Sequence, residues 1–128
     1  MEAEVVCMYV RFRELDVWRY AMALVDRIYA ETSRFPDAEK FGITSQLRRA
    51  AISVPANISE GAGRRRGREF LRFLDIAYGS LMEVQTLVEV ARRQGLLDDE
   101  STESLLESCF TVARLANGLR RRLQRAQD

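Results

Sequence analysis

Two clusters of arginine are the residues of this sequence best suited to bind a ligand. A guanidinium group donates two parallel hydrogen bonds to a phosphate or carboxylate, which a lysine ammonium cannot do. Lysine and arginine together number 20, and Lys40 is the single lysine. A high genomic GC content would produce the same bias, so the excess of arginine alone does not indicate a function. The clusters are Arg64, Arg65, Arg66 and Arg68, and then Arg120, Arg121, Arg122 and Arg125.

Catalytic chemistry has little support in the residue types. The chain has no histidine, which excludes Ser-His-Asp and Cys-His catalysis, the H-E-x-x-H zinc motif and the Glu-x-x-His pairs of di-iron bundles. Glu60, Asp75 and Glu83 could act as acids or bases, but solvated or capping carboxylates are the ordinary interpretation of all three. We expect no enzymatic activity, no cofactor and no metal site.

The glycines beside the first arginine cluster do not form a nucleotide-binding motif. Gly61, Gly63 and Gly67 follow a predicted helix instead of a strand, and their spacing matches neither G-x-G-x-x-G nor the P-loop. Gly61 and Gly63 are instead predicted to be helix C-cap residues, where glycine can adopt a positive φ.

Length and composition indicate one globular domain. A chain of 128 residues buries about two-thirds of its unfolded surface, and 47% hydrophobic with 30% charged residues is typical of globular proteins. No apolar run reaches the roughly 20 residues that span a bilayer, so we expect no membrane contact, a cytoplasmic location and free thiols at Cys7 and Cys109. Residues 1–11 are predicted to be a flexible tail before a domain of residues 12–128.

A helix over residues 45–64 is the element around which the other predicted helices are arranged. Its apolar residues recur every three or four positions, as on one face of a helix. Either Thr44 or Ser45 is the predicted N-cap. Pro55 lacks an N–H group and presses on the carbonyl of Ala51, so the helix should bend there or break into two pieces.

Polar side chains inside this helix are candidates for a functional site. Arg48 and Arg49 differ by about 100° around the axis, so at least one should leave the core face and reach a ligand or another subunit. A surface pair between arginine and glutamate is the plainer alternative. Asn57 is expected to bond a carbonyl that the bend frees, which would make its role structural.

Three further helices are predicted from the same periodicity. The first begins at the N-cap candidate Asp16 and ends at Phe35-Pro36. The third covers residues 68–93 and is capped by Gly95, and the fourth starts near Asp98 or Asp99. The predicted core stripe of the first helix is Trp18, Ala21, Met22, Val25, Ile28, Tyr29 and Thr32.

A Gly79-Ser80 pair interrupts the third predicted helix. It lowers helix propensity by about 1 kcal/mol, a loss that a closely packed neighbouring helix would offset.

Four stretches resemble a known family. They are FRELDVW at residues 12–18, FP at 35–36, EKFGITSQLRRAAISVPANISEGAGR at 39–64 and FLRFLDIAYGSLMEVQ at 70–85. The chain is thereby identified as a member of the bacterial four-helix-bundle family of 23S rRNA intervening-sequence proteins. The resemblance implies a homopentamer without enzymatic activity, and distant relatives are accessory proteins of diversity-generating retroelements, which bind nucleic acid and a reverse transcriptase. The residues that match the family motif are Ser45, Gln46, Arg48, Arg49, Asn57, Glu60 and Gly61.

Short connections between long helices predict an all-α, antiparallel up-down-up-down four-helix bundle. That topology brings the start of the first helix, the second connection and the end of the last helix to one end of the bundle. Both arginine clusters then lie together, with acids such as Asp37, Asp98 and Glu103 at the opposite end. We expect the basic end to bind RNA or DNA backbone, and the alternative is a structural or adaptor oligomer that binds a protein partner without nucleic acid.

Apolar residues beyond the needs of one core predict self-assembly. A helix that is apolar over more than its inward face normally buries the excess against a partner. We therefore expect a cyclic homo-oligomer, and the resemblance implies that it is a pentamer. The excess residues are Leu15, Val17, Tyr20 and Leu24 in the first helix and Leu71, Ile76, Tyr78 and Met82 in the third.

Overall fold

Four α-helices make up most of the described part of the chain. The computed structural model describes residues 11–64 and 66–127, and at Gln127 it describes the backbone alone. The predicted tail therefore lies outside the described residues, except for Arg11. Cys7, which belongs to that tail, and Arg65 are also outside them. Two short 3₁₀ turns, Phe12–Glu14 and Asp37–Glu39, precede α1 and α2, and no strand occurs in these ranges. The helices are α1 Asp16–Thr32, α2 Ile43–Gly63, α3 Gly67–Arg93 and α4 Asp99–Gln127.

Contact pairs between neighbouring helices run in opposite order, as antiparallel neighbours require. Residue numbers rise along one helix while those of its contacts fall along the other. The contacts thus fit the bundle that the sequence predicts. The pairs in contact are Ser53 with Ser80 and Gly61 with Phe73 between α2 and α3, Asp75 with Arg120 between α3 and α4, and Arg27 with Ser104 between α1 and α4. Two further pairs line a common groove, Val90 with Phe110 between α3 and α4 and Val17 with Leu119 between α1 and α4.

The core face of α1 differs from the predicted stripe. Val17 and Leu24, which the sequence analysis assigned to an excess face, are buried in the core. Met22 and Tyr29, which were predicted to be core residues, are 37% and 41% exposed. Two apolar stripes with the same helical spacing lie side by side on α1, and contact with the other helices decides which one is buried.

The N-termini of α1 and α2 also differ from the predictions. Leu15 precedes α1 with extended backbone, so Asp16 is the first helical residue and not the N-cap. Gly42 precedes α2 without a side-chain cap, which places Thr44 and Ser45 inside the helix. The prediction that either residue caps α2 is therefore wrong.

Helix α2 continues without interruption through Pro55. The helix covers Ile43–Gly63 with the proline inside it, and Pro55 is buried. The predicted break into two pieces therefore does not occur. Packing of α2 against α1 and α3 compensates for the backbone hydrogen bond that a proline in a helix cannot donate.

The boundaries of α3 and α4 agree closely with the predictions. Gly95 has a φ of 77°, the left-handed conformation expected just after a helix. Asp98 caps α4, because the N–H of Ser101 donates to its Oδ1 at 2.7 Å. Close packing at Gly79 is not observed, since a Cβ there would meet nothing within 4 Å. Its neighbour Ser80 instead bonds Ser53 Oγ at 2.8 Å.

Hydropathy gives no transmembrane candidate among the helices of the described ranges.

Candidate nucleic-acid interface

The described arginines of the two clusters lie at the same end of the bundle. Residues at the start of α1, including Val17, line a shared groove with Leu119 and Arg122 near the end of α4. The start of α3 meets the same part of α4, because Asp75 and Arg120 are bonded across the two helices. We call this surface the basic end. Its described arginines are Arg11, Arg13, Arg64, Arg66, Arg68, Arg72, Arg120, Arg121, Arg122 and Arg125.

The described arginines of the connection between α2 and α3 lie at the surface. Helix α2 ends at Gly63, with Arg64 at its C-cap in helical conformation. Arg66 then adopts extended backbone, with φ −133° and ψ 123°, before α3 begins at Gly67. So short a connection gives long side chains no room to fold inward, and Arg66 and Arg68 are exposed.

Two of the predicted binding residues are occupied by contacts within the chain. Arg64 donates to Glu60 Oε1 at 3.0 Å and lies over the Phe73 ring, 5.0 Å from its centroid. Arg120 donates to Asp75 Oδ1 at 2.9 Å, and this hydrogen bond raises the pKa of Arg120. Both arginines would have to exchange a partner to bind phosphate.

The other carboxylates at this end are also paired with arginine, or are partly covered. Glu14 lies 3.7 Å from Arg11, and Asp16 pairs with Arg19 one turn along α1. Glu69, in the first turn of α3, is half-buried. Seven exposed arginines at this end have no ion pair to a described residue, and two of them, Arg13 and Arg72, lie over phenylalanine rings. The other five have neither an ion pair nor a ring contact to any residue that the structure describes. They are Arg66, Arg68, Arg121, Arg122 and Arg125.

Arg72 belongs to the basic end, although it was not among the predicted binding residues. Its guanidinium lies over the Phe73 ring at 5.1 Å from the centroid, and its side chain is exposed. Arg68 and Arg72 are four residues apart on α3 and therefore share a face. That spacing is the sequence signal that could have identified it.

Arg48 and Asn57 of the family motif have roles in helix packing. Arg48 Nε donates to Thr32 Oγ1 on α1 at 2.9 Å, and its guanidinium stacks over Tyr29 at 4.4 Å. Asn57 Nδ2 donates to the carbonyl of Ser53 at 2.8 Å and to its Oγ at 3.0 Å. Asn57 thus bonds one turn back within its own helix, and the prediction that it bonds the carbonyl left without a donor by Pro55 is wrong.

Gly61 is a close-approach residue and not a C-cap. It is buried inside α2, and a Cβ built there would lie 2.8 Å from the Cβ of Phe73. Gly63 is also the last residue within α2, and Gly95 is the described glycine with positive φ. The prediction that Gly61 and Gly63 end the helix by adopting positive φ is therefore wrong.

The remaining motif residues divide between the interior and the surface. Ser45 is half-buried in the first turn of α2, and Glu60 forms the ion pair with Arg64. Gln46 and Arg49 are exposed, and neither side chain has a hydrogen bond or ion pair to a described residue. Most of the motif is thus explained by the packing of α2, and Gln46 and Arg49 are free to contact a partner.

Acidic side chains gather at the opposite end of the bundle. Asp98 caps α4, and the backbone N–H of Ser101 lowers the pKa of that carboxyl. Asp99 lies 3.6 Å from Arg92, whereas Glu100 and Glu103 are exposed. A protein with a formal net charge of +1 therefore has one basic and one acidic end.

The carboxylates considered for catalysis are dispersed. Glu60 pairs with Arg64 one turn along α2, Asp75 of α3 pairs with Arg120 of α4, and Glu83 is exposed. Across the described ranges, no three ligating side chains of histidine, cysteine, aspartate or glutamate converge as a metal site would require.

Comparison with known proteins gives one family. The model of the family described as 23S rRNA-intervening sequence protein matches residues 13–118. No curated protein matches the chain.

Proposed function

The chain belongs to the family of 23S rRNA-intervening sequence proteins, and we propose that it is a non-enzymatic bundle protein that binds the phosphate backbone of RNA or DNA through its basic end. The observation that carries this proposal is the group of five exposed arginines with neither an ion pair nor a ring contact to the described residues. Because these side chains have no carboxylate partner among the described residues, their charge is available to a polyanion.

The backbone at the start of α3 adds to the attraction for phosphate. Helix α3 begins without a side-chain cap, so the N–H groups of its first turn are not satisfied by a side chain. The positive end of the helix dipole lies there, beside Arg66 and Arg68. Helix N-termini bind anions elsewhere by this combination of free N–H groups and dipole.

Contacts of this kind recognise the backbone and not the base sequence. Guanidinium and backbone N–H groups bond phosphate oxygens, which are the same at every nucleotide. We therefore expect binding that tolerates sequence changes and weakens steeply with salt, because each neutralised phosphate releases counterions.

Removal of the five arginines tests the proposal. The variant carries Arg66→Gln, Arg68→Gln, Arg121→Gln, Arg122→Gln and Arg125→Gln. Its matched control carries Gln at five exposed basic residues outside the basic end, Arg34, Lys40, Arg49, Arg93 and Arg114. Anisotropy of a labelled RNA at low salt should show at least about a hundredfold loss for the first variant and a much smaller loss for the control. Equal losses would reject the basic end as the site.

Exposed apolar side chains support the second part of the proposal, a homo-oligomer. Met22 and Tyr29 on α1 and Ile52 on α2 are each at least 37% exposed, and Val90 on α3 and Phe110 on α4 are 39% and 55% exposed. A cyclic assembly needs two different surfaces on each subunit, one for each neighbour. The α1–α2 face and the α3–α4 face could supply them, and membership of the family suggests a pentamer.

A ring would place the basic ends of its subunits side by side and so strengthen polyanion binding. Light scattering coupled to size exclusion tests this assembly. A mass five times the 14.7 kDa of one chain would support the pentamer, and the mass of a single chain would reject assembly.

The same apolar faces favour a second candidate function, a structural or adaptor oligomer that binds a protein partner. They provide contact area that does not depend on phosphate. An assembled protein that fails to retain RNA even at low salt would support this candidate over nucleic-acid binding.

A further inference from the structure

Arg27 lies in a pocket between α1 and α4, away from the basic end. The pocket has a volume of about 240 Å³, and its lining includes Tyr20, Arg27, Ser104, Glu107 and Ser108. Arg27 is eleven residues after the start of α1, which corresponds to about 16 Å along the helix. The pocket is therefore on the flank of the bundle.

Every hydrogen-bond acceptor of Arg27 is neutral. Its Nη1 donates to the carbonyl of Ser104 at 3.0 Å and to Ser108 Oγ at 2.6 Å. Its Nη2 donates to Ser104 Oγ at 2.8 Å. No carboxylate of the described residues forms an ion pair with it, although its side chain is half-buried. The guanidinium is thus held in position by neutral groups, without an ion pair to a described residue.

Two donors of Arg27 remain for a ligand. A guanidinium has five N–H donors, and three are used in the contacts with α4. Nε and one N–H of Nη2 are left, and the edge that carries these two nitrogens is one that carboxylates bind with two parallel hydrogen bonds. Tyr20 lies seven residues earlier on the same face of α1 and is 52% exposed, so its hydroxyl can donate a third bond at the mouth of the pocket.

We propose that this pocket binds a single carboxylate group, supplied by an acidic side chain of a protein. The volume of about 240 Å³ has room for one such group, and the half-exposed Tyr20 ring offers contact to an apolar neighbour of that side chain. Arg27 attracts an anion while Glu107 in the lining repels it, so a second negative charge on the ligand gives no clear advantage, and a phosphate dianion is not favoured over a carboxylate.

Acetate is the probe, and it is titrated into the protein at an ionic strength held constant with chloride. Its binding is measured from the NMR signals of the arginine Nε–H groups. Saturable binding at Arg27 is expected, at least about tenfold tighter than at Arg114, an exposed arginine of α4. Arg27→Gln should abolish it, and Arg114→Gln should leave it unchanged. Inorganic phosphate should bind no more tightly than acetate.

Tyr20→Phe is a second variant that tests the site even if Arg27→Gln does not fold. Because Tyr20 has no described hydrogen bond and is exposed, its substitution should preserve the fold yet weaken acetate severalfold. A wild-type Arg27 signal that moves only as weakly and linearly as that of Arg114 would overturn the proposal, unless a neighbouring copy fills the pocket.

Light scattering distinguishes the two sources of the carboxylate. If it comes from a second copy, acetate will not shift the wild-type signal, and folded Arg27→Gln will have a lower mass. If it comes from another protein, acetate will bind and the mass will not change. Failure of both tests rejects the site. RNA binding should be unaffected by Arg27→Gln, so this outcome is independent of the basic end.

Discussion

Gly61→Ala should destabilise the protein, although alanine is the better helix former. The new Cβ would lie 2.8 Å from Phe73 Cβ and 3.0 Å from Phe70 Cδ1. Phe70 and Phe73 are buried, so neither ring can move aside without opening the contact between α2 and α3. Overpacking of this kind costs about 2 to 3 kcal/mol, whereas replacement of a helical glycine gains about 1 kcal/mol. The expected net loss is about 1 to 2 kcal/mol.

Gly63→Ala is the matched control in the same helix. Gly63 is exposed, and a Cβ there would meet nothing within 4 Å. The helix-propensity gain should then appear almost undiminished, as a stabilisation of about 0.5 to 1 kcal/mol. The stabilities of the two variants should therefore differ by about 1.5 to 3 kcal/mol, with changes in opposite directions from the wild type.

Urea denaturation followed by circular dichroism measures both variants. Protein concentration must be held constant, because self-assembly would make the apparent stability concentration-dependent. If Gly61→Ala proved as stable as Gly63→Ala, the close approach of α2 and α3 at Gly61 would be refuted.

Three other substitutions test separate parts of the structure. Pro55→Ala should stabilise the protein by about 1 kcal/mol in urea denaturation. The gain in helix propensity is about 3 kcal/mol, which outweighs the loss of two buried methylenes. A loss of stability would show that the packing of Pro55 contributes more than its helix propensity costs. Arg48→Ala should cost about 1 to 2 kcal/mol, whereas Arg49→Ala should change stability by less than about 0.5 kcal/mol, and similar values would contradict the contact with α1. The hydrogen bond from Arg92 lowers the pKa of Glu89 to about 2, so this carboxylate should stabilise the fold above its ordinary pKa of 4.5 and lose that effect as the pH falls towards 2. Glu89→Gln should melt below the wild type near neutral pH and converge with it in acid, and a constant difference would contradict the pairing.

Local patterns predicted the extent of the helices well. The glycine at 95 and the aspartate at 98 mark the end of α3 and the start of α4, because each acts through its own backbone neighbourhood. The ion pair of Glu60 and Arg64 could likewise be predicted from the sequence, since the two residues are four apart on one helix. Such features need no knowledge of which helices meet.

Contacts between distant segments were beyond the sequence. Asp75 occupies Arg120, a residue 45 positions away, so the division of arginines into paired and available ones could not be predicted. The choice of Leu24 over Met22 for the core depends on how α1 is rotated against the bundle. Gly61 has the same local signature as a C-cap, and only the approach of Phe73 shows its role.

The salt dependence of RNA binding tests the central claim most directly. Binding constants of the wild type and the five-arginine variant, measured across a range of salt concentrations, give the number of phosphates that each protein neutralises. For single-stranded RNA, the slope of log K against log salt should become shallower by about 0.7 for each arginine that contacts a phosphate, and the five-arginine variant should thus lose most of the wild-type slope. Equal slopes for the two proteins, or wild-type binding that does not change with salt, would contradict a phosphate-binding role for the basic end.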